Sequence, residues 1–176
     1  MKIFLTGGAR SGKSGLALKI AEQERGKKYF IATAEALDDE MVDRIEKHKA
    51  ERSQEWNSIE EPIELANTIK SLSDEGNVVL VDCLGLWTSN TLKLEEESFV
   101  EKVKEITIEI KNFKGSLALV SNEVGLGIVP AEPESRLFRD RLGLLNREVA
   151  AVCRQAVLVV SGIPLWLKGD PDNLAR

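Results

Sequence analysis

Residues 7–14 read Gly-Gly-Ala-Arg-Ser-Gly-Lys-Ser, directly behind the apolar run Ile3-Phe4-Leu5 and at the head of a helix-forming segment, Ser14 to Glu24. The spacing is G-x-x-x-x-G-K-[ST], and each part has a chemical reason. Glycines let backbone N–H groups curl around phosphate oxygens, and the helix N-terminus adds partial positive charge. Lys13 is placed to reach the β- and γ-phosphates, and the Ser14 hydroxyl to ligate Mg²⁺. A mere Gly-rich turn is the alternative, and the strand before and helix after argue against it. Gly7, Gly8, Ala9, Arg10, Ser11, Gly12, Lys13 and Ser14 are therefore the candidate nucleotide-binding loop. Such a loop works at the carboxyl end of a strand, so it commits the chain to a layered α/β fold.

The rest of the sequence agrees. Five short, almost continuously apolar runs read as strands buried on both faces: Lys2–Thr6, Lys28–Ala32, Val78–Asp82, Leu117–Ser121 and Val157–Ser161. Helical periodicity runs between them. Phe99, Val103, Ile106, Ile110 and Phe113 lie at spacings of three and four within Glu95–Lys114. Phe138, Leu142, Leu145, Val149 and Val152 do the same within Ser135–Gln155. Pro62–Ser73 opens with a proline and carries Ile63, Ala66, Ile69 and Leu72. Leu165–Lys168 reads as a last strand, and Pro164 before it points to a sheet edge. The pattern predicts a mainly parallel sheet with helices on both faces, in one nucleotide-binding domain over residues 1–168. A polar tail follows over 169–176.

Composition excludes several function classes. A net charge of −5 argues against a general nucleic-acid coat. No apolar stretch is long enough for a membrane span, and the first strand begins too early for a signal peptide. Cys83 and Cys153 have no C-x-x-C context and a single histidine to join them, so a thiolate metal site is not expected. Both read as buried packing thiols in a reducing cytoplasm.

Asp82 closes the run Val78-Val79-Leu80-Val81, where a carboxylate either caps a turn or holds Mg²⁺ beside the phosphate loop. No glutamate follows it, which favours transfer to an acceptor over hydrolysis. In Asp38–Arg52, three early acids and helix-forming residues predict a helix with Arg44, His48 and Arg52 on one face. His48 is the only histidine. Its neighbours Lys47 and Lys49 would disfavour protonation, leaving a neutral imidazole able to attack an α-phosphate. Alone, a histidine on a charged helix is more often a solvated surface residue.

These pieces together resemble the bifunctional adenosylcobinamide kinase / adenosylcobinamide-phosphate guanylyltransferase family of cobalamin biosynthesis. The likeness is carried by residues 7–14, Ile-Ala-Thr-Ala at 31–34, Asp-Asp-Glu-Met at 38–41 and Arg-Ile-Glu-Lys-His-Lys at 44–49. It continues through Glu-Glu-Pro at 60–62, Val-Asp-Cys-Leu at 81–84 and Asn-Glu-Val-Gly-Leu-Gly-Ile-Val-Pro at 122–130. Phe-Arg-Asp at 138–140, Gly143 and Asn146 complete it. Ser53 and Gly85 depart from it, standing where proline and threonine are common.

The resemblance implies a RecA-type phosphate-loop fold and a homotrimer. It implies phosphorylation of the aminopropanol hydroxyl of adenosylcobinamide, then transfer of GMP from GTP through a guanylylated His48, giving adenosyl-GDP-cobinamide. Catalytic roles fall on His48 and Lys13, and Mg²⁺ on Ser14 and Asp82. Nucleotide contacts extend from the loop to Thr33, Ala34, Glu35, Lys49, Ala50, Glu51, Arg52, one of Glu60 or Glu61, and Asp82. ATP and GTP both remain open for the kinase step. The rivals are a simple small-molecule kinase and a RecA-like ATP-dependent binding protein. Segment 122–130 reads either as a rim loop hinged at Gly125 and Gly127 that touches the corrinoid, or as an ordinary connection. Trp56, Trp87 and Trp166 read as core packing before corrinoid contacts.

Overall fold

The computed structural model describes residues 1–34 and 53–170. β1 (Lys2–Gly7) leads through the phosphate loop into α1 (Lys13–Gln23) and β2 (Lys27–Ala32). β3 (Trp56–Glu60), α2 (Leu65–Ser71), β4 (Asn77–Asp82) and α3 (Leu84–Asn90) follow. The chain closes with α4 (Glu96–Asn112), β5 (Ser116–Asn122), α5 (Pro133–Val152), β6 (Gln155–Val160) and β7 (Ile163–Lys168).

The strands form one seven-stranded sheet in the order β3-β2-β4-β5-β1-β6-β7. All neighbours are parallel except β6 and β7, which are antiparallel. β7 lies at the edge, where Pro164 needs no ladder donor. β5 is inserted between β1 and β4, so one strand separates the phosphate loop from Asp82.

Alternation along each strand divides the core into two layers. Ile3, Leu5, Val78, Leu80, Ala118, Val120, Val157 and Val159 face α1 through Ala17, Ile20 and Ala21. Phe4, Val79, Val81, Leu117 and Leu119 face the other way, onto residues of α2, α3, α4 and α5. That is why the strands read as unbroken apolar runs: both faces are covered.

Two elements were not read from sequence. β3 buries Trp56 but exposes Asn57, Ser58 and Glu60, because it is the other edge strand and has little apolar signal. α3 holds Gly85, Thr88, Ser89 and Asn90, poor helix formers overridden by burial of Leu84 and Trp87. Boundaries moved as well. α2 starts at Leu65 rather than Pro62, and α5 stops at Val152, so Gln155 already belongs to β6. The helix expected over Asp38–Arg52 lies outside the described residues.

Arg141 pins the connection between α3 and α4. Its guanidinium, almost fully buried, donates to the carbonyls of Thr91 (3.3 Å), Leu92 (2.9 Å) and Leu94 (2.8 Å) and to the Glu96 carboxylate (3.1 Å). It also sits 4.7 Å from the centre of the Phe99 ring. Trp87, fully buried, donates its indole N–H to Ile63 O at 2.9 Å. Trp56 meets Phe30 edge to face at 6.3 Å, and Trp166 packs on the α1 side. All three tryptophans are packing residues.

Candidate active site

The phosphate loop is built where β1 ends. Gly7 pairs with Asn122 of β5 on one side and Val159 of β6 on the other. A Cβ at Gly7 would stand 2.4 Å from Val159 O and 2.7 Å from Ser11 Oγ, so only glycine fits this close approach. Gly12 caps α1 with φ 91°, the left-handed conformation glycine adopts at no steric cost. Arg10 takes the same region at φ 55°, which costs a non-glycine residue of order 1 kcal/mol.

The loop is held from several directions. Ser11 N donates to Gly8 O (3.3 Å) and Glu123 N to Gly7 O (3.0 Å). Gly162, in the β6–β7 turn, donates its N–H to Ser11 O at 2.9 Å. Lys13 is buried and lays its ammonium across the loop onto Gly8 O at 3.1 Å. The first turn of α1 contains no acid, so its unpaired N–H groups remain suited to an anion. Ser11 Oγ is buried without a hydrogen-bond partner beneath the loop.

Opposite stands Asp82, half-buried at the end of β4. The Asp82–Cys83 peptide bond is cis. The fully buried Thr33 hydroxyl grips Cys83 at both ends, accepting from Cys83 N (2.9 Å) and donating to Cys83 O (2.6 Å). Asn90 ties the same corner by donating to Thr33 O (2.8 Å) and Pro62 O (3.2 Å). Thr33, read from sequence among the nucleotide contacts, thus has its side chain committed to the backbone beside Asp82. Ala34 lies next to it, half-buried.

Glu61 is likewise committed. Its carboxylate accepts from Ile63 N (3.0 Å), Glu64 N (2.7 Å) and the Thr68 hydroxyl (3.3 Å), capping the approach to α2. Glu60, at the carboxyl end of β3, is the member of the pair that faces solvent. Glu35, His48, Lys49, Ala50, Glu51 and Arg52 lie outside the described residues.

Because β5 runs between β1 and β4, its end brings Asn122, the first residue of the 122–130 segment singled out in the sequence, beside the Asp82 corner. Asn122 adjoins Gly85, whose Cβ would come within 3.4 Å of Asn122 Cγ. Asn146 of α5 braces that end, donating to Asn122 O (2.9 Å) and accepting from Ser121 Oγ (2.6 Å). The rule that ligands gather at strand ends singles out Asn122 from the sequence. Nothing local marks Ser161 and Gly162, which arrive through the hairpin.

Burial pushes the Cys83 thiol up to about 11, reinforced by the charge of Asp82, and the Cys153 thiol up to about 12. Neither is a nucleophile at neutral pH. Among the described residues no group of three or more His, Cys, Asp or Glu is arranged as a metal cage. The oxygens of Ser14 and Asp82 fit a hard cation that takes its other ligands from phosphate and water, as Mg²⁺ does.

A profile of cobinamide kinase / cobinamide phosphate guanyltransferase matches residues 3–167, nearly the whole chain. The chain belongs to that family. It is 41% identical over 172 residues to the bifunctional adenosylcobalamin biosynthesis protein CobP of Pseudomonas aeruginosa, covering 97% of this chain and 99% of the relative. The corresponding CobU of Escherichia coli K12 is 34% identical over 182 residues, covering 96% and 100%. A solved structure from Pyrococcus horikoshii OT3 shares the fold alone, with TM-score 0.58 and 8% identity over 98% of this chain and 88% of that one. The cobinamide kinase and guanyltransferase likeness read from the motifs therefore holds over the full domain. Among the described residues no helix is long and apolar enough to cross a membrane.

Proposed function

We propose that the two activities of this family, cobinamide phosphorylation and guanylylation of the phosphate, run on one phosphate loop, with His48 as the carrier of GMP. In the kinase step the aminopropanol oxygen of adenosylcobinamide attacks the γ-phosphorus of a nucleoside triphosphate. The bond from that phosphorus to the β,γ-bridging oxygen breaks, the diphosphate leaves and the hydroxyl proton is released. In the second reaction an imidazole nitrogen of His48 attacks the α-phosphorus of GTP and pyrophosphate departs. An oxygen of cobinamide phosphate then displaces the imidazole, breaking the P–N bond and forming adenosyl-GDP-cobinamide.

The observation that carries this reading is the cradle itself: Lys13, Gly12 and the acid-free start of α1 lie across one strand from Asp82. Lys13 leaves Gly8 O to pair with phosphate oxygens, and Thr33 and Asn90 keep Asp82 in register. Mg²⁺ held by Ser14 and Asp82 would neutralise phosphate charge when bound. Both steps exclude water as acceptor, in keeping with the absence of a glutamate after Asp82. Glu60, Ala34 and the segment 49–52 would take the nucleoside end. The homotrimer implied by the resemblance would use edge strand β7, whose Ile163, Leu165 and Leu167 are exposed, and light scattering would count the subunits.

The deciding experiment is labelling with α-phosphate-labelled GTP and Mg²⁺. Wild type should acquire acid-labile, alkali-stable label, and His48→Ala none. Equal labelling of both would leave a plain kinase.

A further inference from the structure

On the β5–β6 side of the phosphate loop lies a cavity of about 430 Å³. Its floor is Gly8–Ser11 and its walls are Glu123 to Gly127 and Leu158 to Ser161. Its β6 wall is on the opposite flank of β1 from Thr33, Glu60 and Asp82, while its other wall follows β5, which stands between β1 and β4. We propose that this cavity is the acceptor subsite, taking the phosphorylated side arm and one edge of the corrinoid, with Arg10 on its phosphate. The inference rests on the reading above that the nucleoside end lies toward Ala34 and Glu60.

Three features select this occupant. Arg10, exposed at the cavity floor, has no ion-pair partner among the described residues, so it suits an anionic group delivered from outside. Its left-handed backbone fixes where the side chain departs from the loop. The walls are aliphatic (Val124, Leu126, Leu158 and Val160), and Leu126 is 84% exposed, with Ile128 beyond it at 96%. Apolar surface left open beside a polar phosphate site marks a ligand that is bulky, apolar on one face and anionic at one tip. The volume suits an arm and a ring edge; the macrocycle itself would rest on the exposed rim. Glu123 spends one carboxylate oxygen on Gly125 N–H and remains an acceptor for an amide of the ligand. A nucleobase would satisfy Glu123 but leave Arg10 and the open rim without purpose.

The test separates the two substrates. Cobinamide and cobinamide phosphate are each dialysed against nucleotide-free protein, and binding is read from corrin absorbance. Leu126→Asp and Val124→Asp sit on an exposed loop, so they should fold as wild type by circular dichroism. Each should weaken both corrinoids by about tenfold or more. Loading of GMP from GTP without corrinoid should stay within about twofold. Arg10→Ala should abolish the preference for the phosphorylated form. Unchanged corrinoid affinity in the two loop variants, or a matching loss of GTP binding, would overturn the assignment. Wild type that binds corrinoid but never loads GMP would sink the His48 reading alone, since the dialysis does not depend on it.

Discussion

Replacing Thr33 by valine keeps side-chain volume nearly constant and deletes one hydroxyl. That hydroxyl is fully buried and serves both polar groups of Cys83, at 2.9 and 2.6 Å. The Cys83 carbonyl keeps the Trp87 N–H at 3.2 Å, but the buried Cys83 N–H is left without a partner, so Thr33→Val should lose about 1–3 kcal/mol. For a domain of this size each kcal/mol shifts Tm by about 2–4 °C, which gives a drop of roughly 2–12 °C. Thr33→Ser keeps both hydrogen bonds and removes one methyl, at about 1 kcal/mol. Thermal unfolding of the three proteins by circular dichroism makes the comparison. The same corner holds Asp82, so kinase kcat should fall in Thr33→Val and return in Thr33→Ser, while metal-free nucleotide affinity stays within about twofold. If valine proves as stable as serine, or if metal-free nucleotide affinity collapses with full stability, Thr33 is a nucleotide contact and the positioning account is wrong.

Other expectations are simpler. Arg141→Met leaves the Thr91, Leu92 and Leu94 carbonyls without their shared donor and should cost about 3–5 kcal/mol in urea unfolding. A cost under about 1 kcal/mol would mean that water replaces it. Gly7→Ala drives a methyl into Val159 O and Ser11 Oγ, so nucleotide affinity should fall about tenfold or more by calorimetry. Tight binding by that variant would show that β1 and β6 can separate freely. Cys83 and Cys153 stay neutral in the folded chain up to about 11 and about 12, while unfolded thiols ionise near 9.0. The unfolded state therefore binds fewer protons above pH 9. Stability should fall from there toward pH 11 and 12, by about 1.4 kcal/mol per pH unit for each thiol. Cys153→Ala should flatten the slope between pH 9 and 10.5; an unchanged slope assigns the loss to other groups.

How far the sequence was legible follows from where each residue's information lies. Gly7, Gly12 and Lys13 sit in a local motif whose geometry is self-contained, and the loop formed as read. Strands covered on both faces announced themselves by apolar runs; β3, an edge strand with alternate polar residues, did not. α3 is helical because Leu84 and Trp87 are buried against other elements, which its own propensities do not foretell. Thr33, and one of Glu60 or Glu61, were read as nucleotide contacts, yet the hydrogen bonds of Thr33 and Glu61 go to backbone and to the Thr68 hydroxyl, a choice fixed by distant partners such as Cys83. Ser161 entered through a hairpin turn, which no short motif encodes.

The brace from Gly162 to Ser11 joins the eleventh residue to one about 150 positions later, and β1 finds its two neighbours only in β5 and β6. A ribosome must therefore release nearly the entire polypeptide before the nucleotide pocket can close. Fragments truncated ahead of the last hairpin would carry an intact Walker-type signature yet have little to hold it in shape, and ligand present during synthesis could rescue only finished chains.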